Sequence, residues 1–124
     1  MVLIIDTTLG DDIEVRFSGR TDNIRRRLSA PRQQAEKLLP LIVKMMKDYK
    51  IAWSDFDSIS VQNTGESFSA LRIGVLTANA LAYALQIPIQ ALDAEAPLLF
   101  IGGQSVKPRY QSEPNIGKAK KAAC

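Results

Sequence analysis

Asp6 is the residue of this chain best placed to do chemistry, because it closes the apolar run VLIIDTT (residues 2–8) where a buried strand would give way to polar residues. A carboxylate there could hold a divalent cation, and two-metal hydrolysis of a nucleic acid needs several such oxygens converging. The next strand that could supply one ends in Gln62 and Asn63, which leaves Asp93 and Glu95 to be invoked as further ligands. The competing role for Asp6 is local, with its side chain accepting hydrogen bonds from the turn at Thr7 and Thr8. Histidine is absent, which removes imidazole bases, zinc-hydrolase motifs and Ser-His-Asp triads. No catalytic residue and no metal site follow from these residues.

A second candidate is the loop NTGESFS (residues 63–69), which precedes a long apolar segment and therefore sits at a helix N-terminus, where free N–H groups can bind an anion. It has one glycine, Gly65, and Glu66 sets a negative charge where a phosphate would approach. The residues favour a structural turn, in which Ser67 or Ser69 caps the helix and Phe68 anchors it in the core.

The elements that must position these residues can be read from periodicity. After the central first strand, IEVRFS alternates apolar and polar residues, as a half-exposed strand does. NIRRRLS (residues 23–29) reads as an edge strand whose arginines discourage pairing with another edge. Residues 31–50 have apolar positions at helical spacing, interrupted by Pro40, which should kink that helix or begin its main section. A capped turn at residues 54–57, a strand at 57–63, a second long helix at 69–86 and a strand at 87–92 follow, and DAEAPLLF is compatible with a short helix. The order βββαβαβ implies an α/β domain with a mixed five-stranded sheet and two long helices. Ribonuclease H-like folds, including half of an actin-like (ASKHA) ATPase, have this order.

The second helix is apolar on nearly every side, whereas a surface helix should carry one apolar stripe. Ala70, Gly74, Ala78 and Ala82 form an i, i+4 row of small side chains that would admit another helix closely. The first helix adds Leu38, Leu39, Ile42, Met45 and Met46. Either the two helices cover each other, or they form a face for another protein.

Length and charge set the outer bounds. The 124 residues suit one domain, read as residues 1–103 with a basic, extended or disordered tail at 104–124. That tail carries Lys107, Arg109, Lys118, Lys120 and Lys121 against Glu113, so the chain's positive charge resides in it and the body, with 11 basic and 12 acidic residues, is near neutral. Arg16, Arg20 and Arg25 to Arg27 form either a basic face for RNA phosphates or a solvated edge, with Arg25 and Arg27 on one side of the strand and Arg26 on the other. The lone Cys124 forms no internal disulfide. No apolar run approaches the roughly 20 residues of a membrane span, and the start lacks signal-peptide features, so a cytoplasmic location without membrane contact is expected.

MVLIIDTT, AEKLLPLI, SISVQNTG and above all SFSALRIGVLTANALAYALQIPI resemble the N-terminal domain of the TsaB (YeaZ) family, over about residues 1–100. The family loop reads approximately GPGSFTGLRIG. Ser67, Phe68, Leu71, Arg72, Ile73 and Gly74 match it, Thr64, Glu66 and Ala70 replace its glycines, and Gly65 stands in the place of its proline. The resemblance implies a non-catalytic scaffold subunit that supports a TsaD-like transferase in threonylcarbamoyladenosine synthesis on tRNA. Catalytic TsaD-like members carry metal-binding histidines that this chain lacks, so the older label of glycoprotease would mislead. KPRYQSEP resembles the family's C-terminal P-x-Y-x-x-E/P segment, which implies a shortened form lacking most of the second domain. Without the cleft between two domains the chain would bind no cofactor alone, and ATP and threonylcarbamoyl-adenylate would be handled by partners.

By the same resemblance, the partner is a TsaD-like subunit or a second copy of the chain, with a TsaE-like ATPase a further partner and tRNA contact indirect or through the tail. The interface carries over to Leu38, Leu39, Ile42, Met45, Met46, Leu71, Gly74, Val75, Ala78 and Ala82. Gly65, Ser67, Phe68, Ser69 and Arg72 form the structural family loop. The alternatives are a small ribonuclease H-like nuclease resembling the YqgF group, with Mg²⁺ on Asp6 and Asp93 or Glu95, and a stand-alone homodimeric scaffold.

Overall fold

A computed structural model describes residues 1–65 and 68–92, with the backbone at 109–110. Strand β1 (Val2–Leu9) is the centre of a five-stranded sheet in the order β3-β2-β1-β4-β6. Its antiparallel neighbour β2 (Asp12–Ser18) is followed by the edge strand β3 (Asn23–Ser29), and on the other side β4 (Ser58–Val61) and β6 (Ile89–Ala91) pair in parallel. This is the mixed sheet expected for the order βββαβαβ.

Helix α1 (Gln34–Tyr49) runs through Pro40, and helix α2 (Phe68–Leu85) follows the short strand β5 (Thr64–Gly65). Pro40 is exposed, so the hydrogen bond that its missing N–H costs lies on the solvent side. Both helices cover the same face of the sheet, α1 over β2 and α2 over β1 and β4, and they touch each other. Leu3, Ile5, Val15, Phe17, Ile59 and Val61 meet Leu38, Ile42, Met45, Leu71 and Val75 in one continuous core. Both helices end on a residue in the left-handed region, Lys50 at φ 56° and Gln86 at φ 54°. The next N–H in each case closes the last turn, Ile51 onto the Met46 carbonyl and Ile87 onto the Ala82 carbonyl.

The expected turn at residues 54–57 is one turn of 3₁₀ helix (Trp53–Asp55), closed by the Ala52 N–H donating to Asp55 Oδ2 at 2.8 Å. Helix α2 starts at Phe68, so Ser69 lies inside the first turn and is not its cap. Glu66, Ser67, the Phe68 side chain and the DAEAPLLF segment lie outside the described residues. Within the stretch read as a tail, the backbone of strand β7 (Arg109–Tyr110) pairs in parallel with β5, which sets Arg109 beside Thr64 and Tyr110 beside Gly65.

Candidate partner surface and family loop

Asp6 sits where β1 departs from regular pairing with β2: Asp6 faces Glu14 and Leu9 faces Asp12, so β1 has one residue more than its partner between these pairs. Asp6 Oδ1 accepts from the Thr8 N–H at 2.8 Å and from Thr8 Oγ1 at 2.6 Å. The local role of Asp6 is thus the one realised, a carboxylate that fastens a bulge. No group of three His, Cys, Asp or Glu side chains able to hold a metal ion occurs among the described residues. Asp93 and Glu95 lie outside them.

The bulge has a second function. Thr7 is fully buried, and its hydroxyl donates to the Ala70 carbonyl of α2 while accepting from the Gly74 N–H at 3.2 Å. Those are the two groups that one i→i+4 helix bond would join, so the strand's hydroxyl stands at a rung of the helix. Only glycine allows it: a Cβ on residue 74 would lie 2.6 Å from Thr7 Oγ1. Gly65 is also held close to β1, though less tightly, since a Cβ there would lie 3.1 Å from Thr8 Cγ2. In the family loop, Gly65 and Gly74 therefore serve the packing of β5 and α2 onto β1.

This geometry corrects the proposed interface list. Leu38, Ile42, Met45, Met46, Leu71, Gly74, Val75, Ala78 and Ala82 are all buried within the chain itself. Of the ten residues only Leu39 is exposed, at 44%. The reason is the closeness that small side chains permit: at Ala70 and Gly74 helix α2 meets Thr7 of β1, and Ala78 and Ala82 are buried within the same chain.

The face that α2 turns outward was missed by sequence reasoning. Ser69, Arg72, Leu76, Ala80 and Tyr83 are exposed and recur every three or four residues. Leu76 is 61% exposed and Tyr83 67%. The signal was available in the phase of the helix, since these positions lie opposite the small-residue row. The outward positions of α1 are instead mostly charged, among them Glu36, Lys37, Lys44, Lys47 and Asp48.

Near the end of α1, Arg26 Nη1 donates to Asp48 Oδ2 at 2.8 Å, and its guanidinium lies 5.7 Å from the centre of the Tyr49 ring. The hydrogen bond from Arg26 holds the Asp48 carboxyl below its ordinary range, and the same bond raises Arg26 further. Arg26 thus bridges β3 to α1 on the helix side of the sheet, while Arg25 and Arg27 point the other way, as strand alternation requires.

The family model described as TsaD, tRNA N6-adenosine threonylcarbamoyltransferase, matches residues 28–101. The chain belongs to this TsaD family. A curated relative, the tRNA N6-adenosine threonylcarbamoyltransferase of Syntrophobacter fumaroxidans (strain DSM 10017 / MPOB), is 30% identical over 80 residues, covering 62% of the chain and 24% of the relative. Among solved structures, YeaZ from Pseudomonas aeruginosa superposes with a TM-score of 0.69 at 26% identity, over 73% of the chain and 42% of YeaZ. A second structure, of an uncharacterized protein with similarity to peptidase YeaZ from Pseudomonas aeruginosa, gives the same values. The chain therefore spans about a quarter of the TsaD-family relative and less than half of YeaZ. The resemblance to TsaB (YeaZ) and the half-ASKHA architecture are thereby established, and the match covers both helices. No helix among the described residues is long and apolar enough to cross a membrane.

Proposed function

We propose that this chain is a non-catalytic subunit that binds a TsaD-like transferase and supports synthesis of threonylcarbamoyladenosine on tRNA. The observation that carries this reading is the outward row of α2, where Leu76 and Tyr83 expose large apolar side chains on a helix whose inner side is already filled. Burying two such residues on a partner is worth several kcal/mol at about 25 cal/mol per Å² of apolar surface, before the costs of association. Leu39 on α1 extends the same surface chemistry to the neighbouring helix. The lack of histidine supports a non-catalytic role, since an imidazole-based metal site cannot be built from these residues. ATP and the threonylcarbamoyl-adenylate are then handled by the partner, with a TsaE-like ATPase as a further component.

The test is co-expression with a TsaD-like subunit of the same genome, followed by size-exclusion chromatography at micromolar concentration. Co-elution of the wild-type pair is expected. Leu76→Asp, which places a charge at the centre of the apolar row, should weaken the complex at least about tenfold, as expected for loss of a central interface anchor. Separate elution of the wild-type proteins counts against the proposal, and a homodimer that Leu76→Asp dissolves would reassign the surface to a second copy of the chain.

A further inference from the structure

The sheet face turned away from α1 and α2 carries a basic hollow that the subunit role does not use. On β2 and β3, Arg16 and Arg25 are direct cross-strand partners, and Ile4 of β1 pairs with Arg16 on its other side. Two guanidinium groups placed opposite each other on adjacent strands repel, and such pairs are destabilising unless something anionic lies between or above them. Glu14 forms an ion pair with each of them, 3.9 Å from Arg16 Nε and 3.6 Å from Arg25 Nε, and so offsets part of that repulsion. Both distances are too long for a hydrogen bond. Arg27 instead donates from Nε to Asp12 Oδ2 at 2.7 Å.

A hollow of about 320 Å³ opens over this pair, lined by Ile4, Arg16, Ser18, Asn23 and Arg25 among others. Its volume lies at the lower end of small-ligand sites. The Ser18 hydroxyl donates to Asn23 Oδ1 at 3.0 Å at one end of the hollow, which leaves the Asn23 amide group free to donate. The sharpest observation is Arg16 Nε, a buried donor that has no hydrogen-bond partner. Only that atom is desolvated, since the Arg16 side chain keeps 38% of its surface exposed, and native structures rarely leave a buried donor unmatched.

We propose that this hollow binds a phosphate group, held by the forks of Arg16 and Arg25. A tetrahedral oxyanion can accept from the exposed ends of two guanidinium groups at once and would add to the charge balance that Glu14 begins. The same chemistry is offered by free phosphate and by the backbone of an RNA strand. The site does not depend on the subunit role, because it lies on the opposite face of the sheet from α2.

The experiment is a titration of the full chain at constant ionic strength, watching the arginine Nε–H resonances. Orthophosphate is one ligand and a short single-stranded RNA the other, with chloride as the reference anion. A saturable shift of Arg16 Nε–H with orthophosphate that RNA does not displace supports the site with a free phosphate as its ligand. If RNA binds, and Arg16→Gln weakens it about tenfold while lowering the salt slope by about 0.7, the backbone is the source. Arg16→Lys keeps the charge but loses the fork, so it should fold normally and recover part of the binding. Arg27→Gln should bind like the wild type. An Arg16 resonance that responds to neither ligand beyond chloride, or equal binding by wild type and folded Arg16→Gln, overturns the proposal.

Discussion

Helices α1 and α2 lie side by side on one sheet, yet they treat the solvent differently. The outer side of α1 is lined with Glu36, Lys37, Lys44, Lys47 and Asp48, whereas that of α2 offers Leu76 and Tyr83. Inside, α1 fills space with Leu38, Ile42 and Met45, while α2 minimises it with Ala70, Gly74, Ala78 and Ala82. One helix is a lid whose outward face is finished by water. The other lies close against its strand through small residues, buries Leu71 and Val75 beside them, and still leaves Leu76 and Tyr83 outside, which is the face proposed above for docking.

The comparison breaks most completely at Gly74. Gly74→Leu drives a side chain into Thr7, so the expected cost is about 3 kcal/mol or more of overpacking, read as loss of cooperative thermal unfolding by circular dichroism. Ile42→Ala tests the space-filling side of α1: a side chain with no exposure is removed, and the expected loss is about 2–5 kcal/mol in denaturant unfolding. Leu76→Asp tests the outer side of α2, where stability should stay within about 0.5 kcal/mol while the partner complex weakens. A Leu76→Asp protein that unfolds would show that α2 has no finished interior of its own.

The smallest effect concerns the polar rim of α1. Because Asp48 is held below its ordinary range by Arg26, the pair contributes stability that is fully present above the ordinary carboxylate pKa and is lost as pH falls through the depressed value. Arg26 is raised from an already high value, so it stays charged across the working range and adds no pH dependence there. A modest fall in melting temperature between roughly pH 5 and pH 2 is expected, and it should be absent in Asp48→Asn.

Much of this architecture was legible in the residues. The alternation of Ile13, Val15 and Phe17 with Glu14 and Arg16 marked β2 correctly, because one buried face forces a period of two, and the arginine-rich edge strand β3 is found at Asn23–Ser29 as expected. The interface was not legible in the same way. Helical spacing reveals which residues share a side, but not which neighbour covers that side, and the small-residue row of α2 is equally suited to a strand or a helix. The deciding residue, Thr7, lies more than sixty positions from Gly74 in sequence and looked like part of a turn. Asp6 showed the reverse case, since its hydrogen bonds are to its near neighbour Thr8 and the turn reading was open to local reasoning.

The hydroxyl of Thr7 also fixes an angle. By binding the Ala70 carbonyl and the Gly74 N–H together, it pins the rotation of α2 about its own axis, like a key in a slot. Advancing the helix by a single residue would turn it by 100° and swing Leu76 and Tyr83 along the surface, away from any partner shaped to receive them. A partner that docks on this row thus meets a helix already aimed, since the direction in which α2 presents the row is set when the chain folds and not when the complex forms.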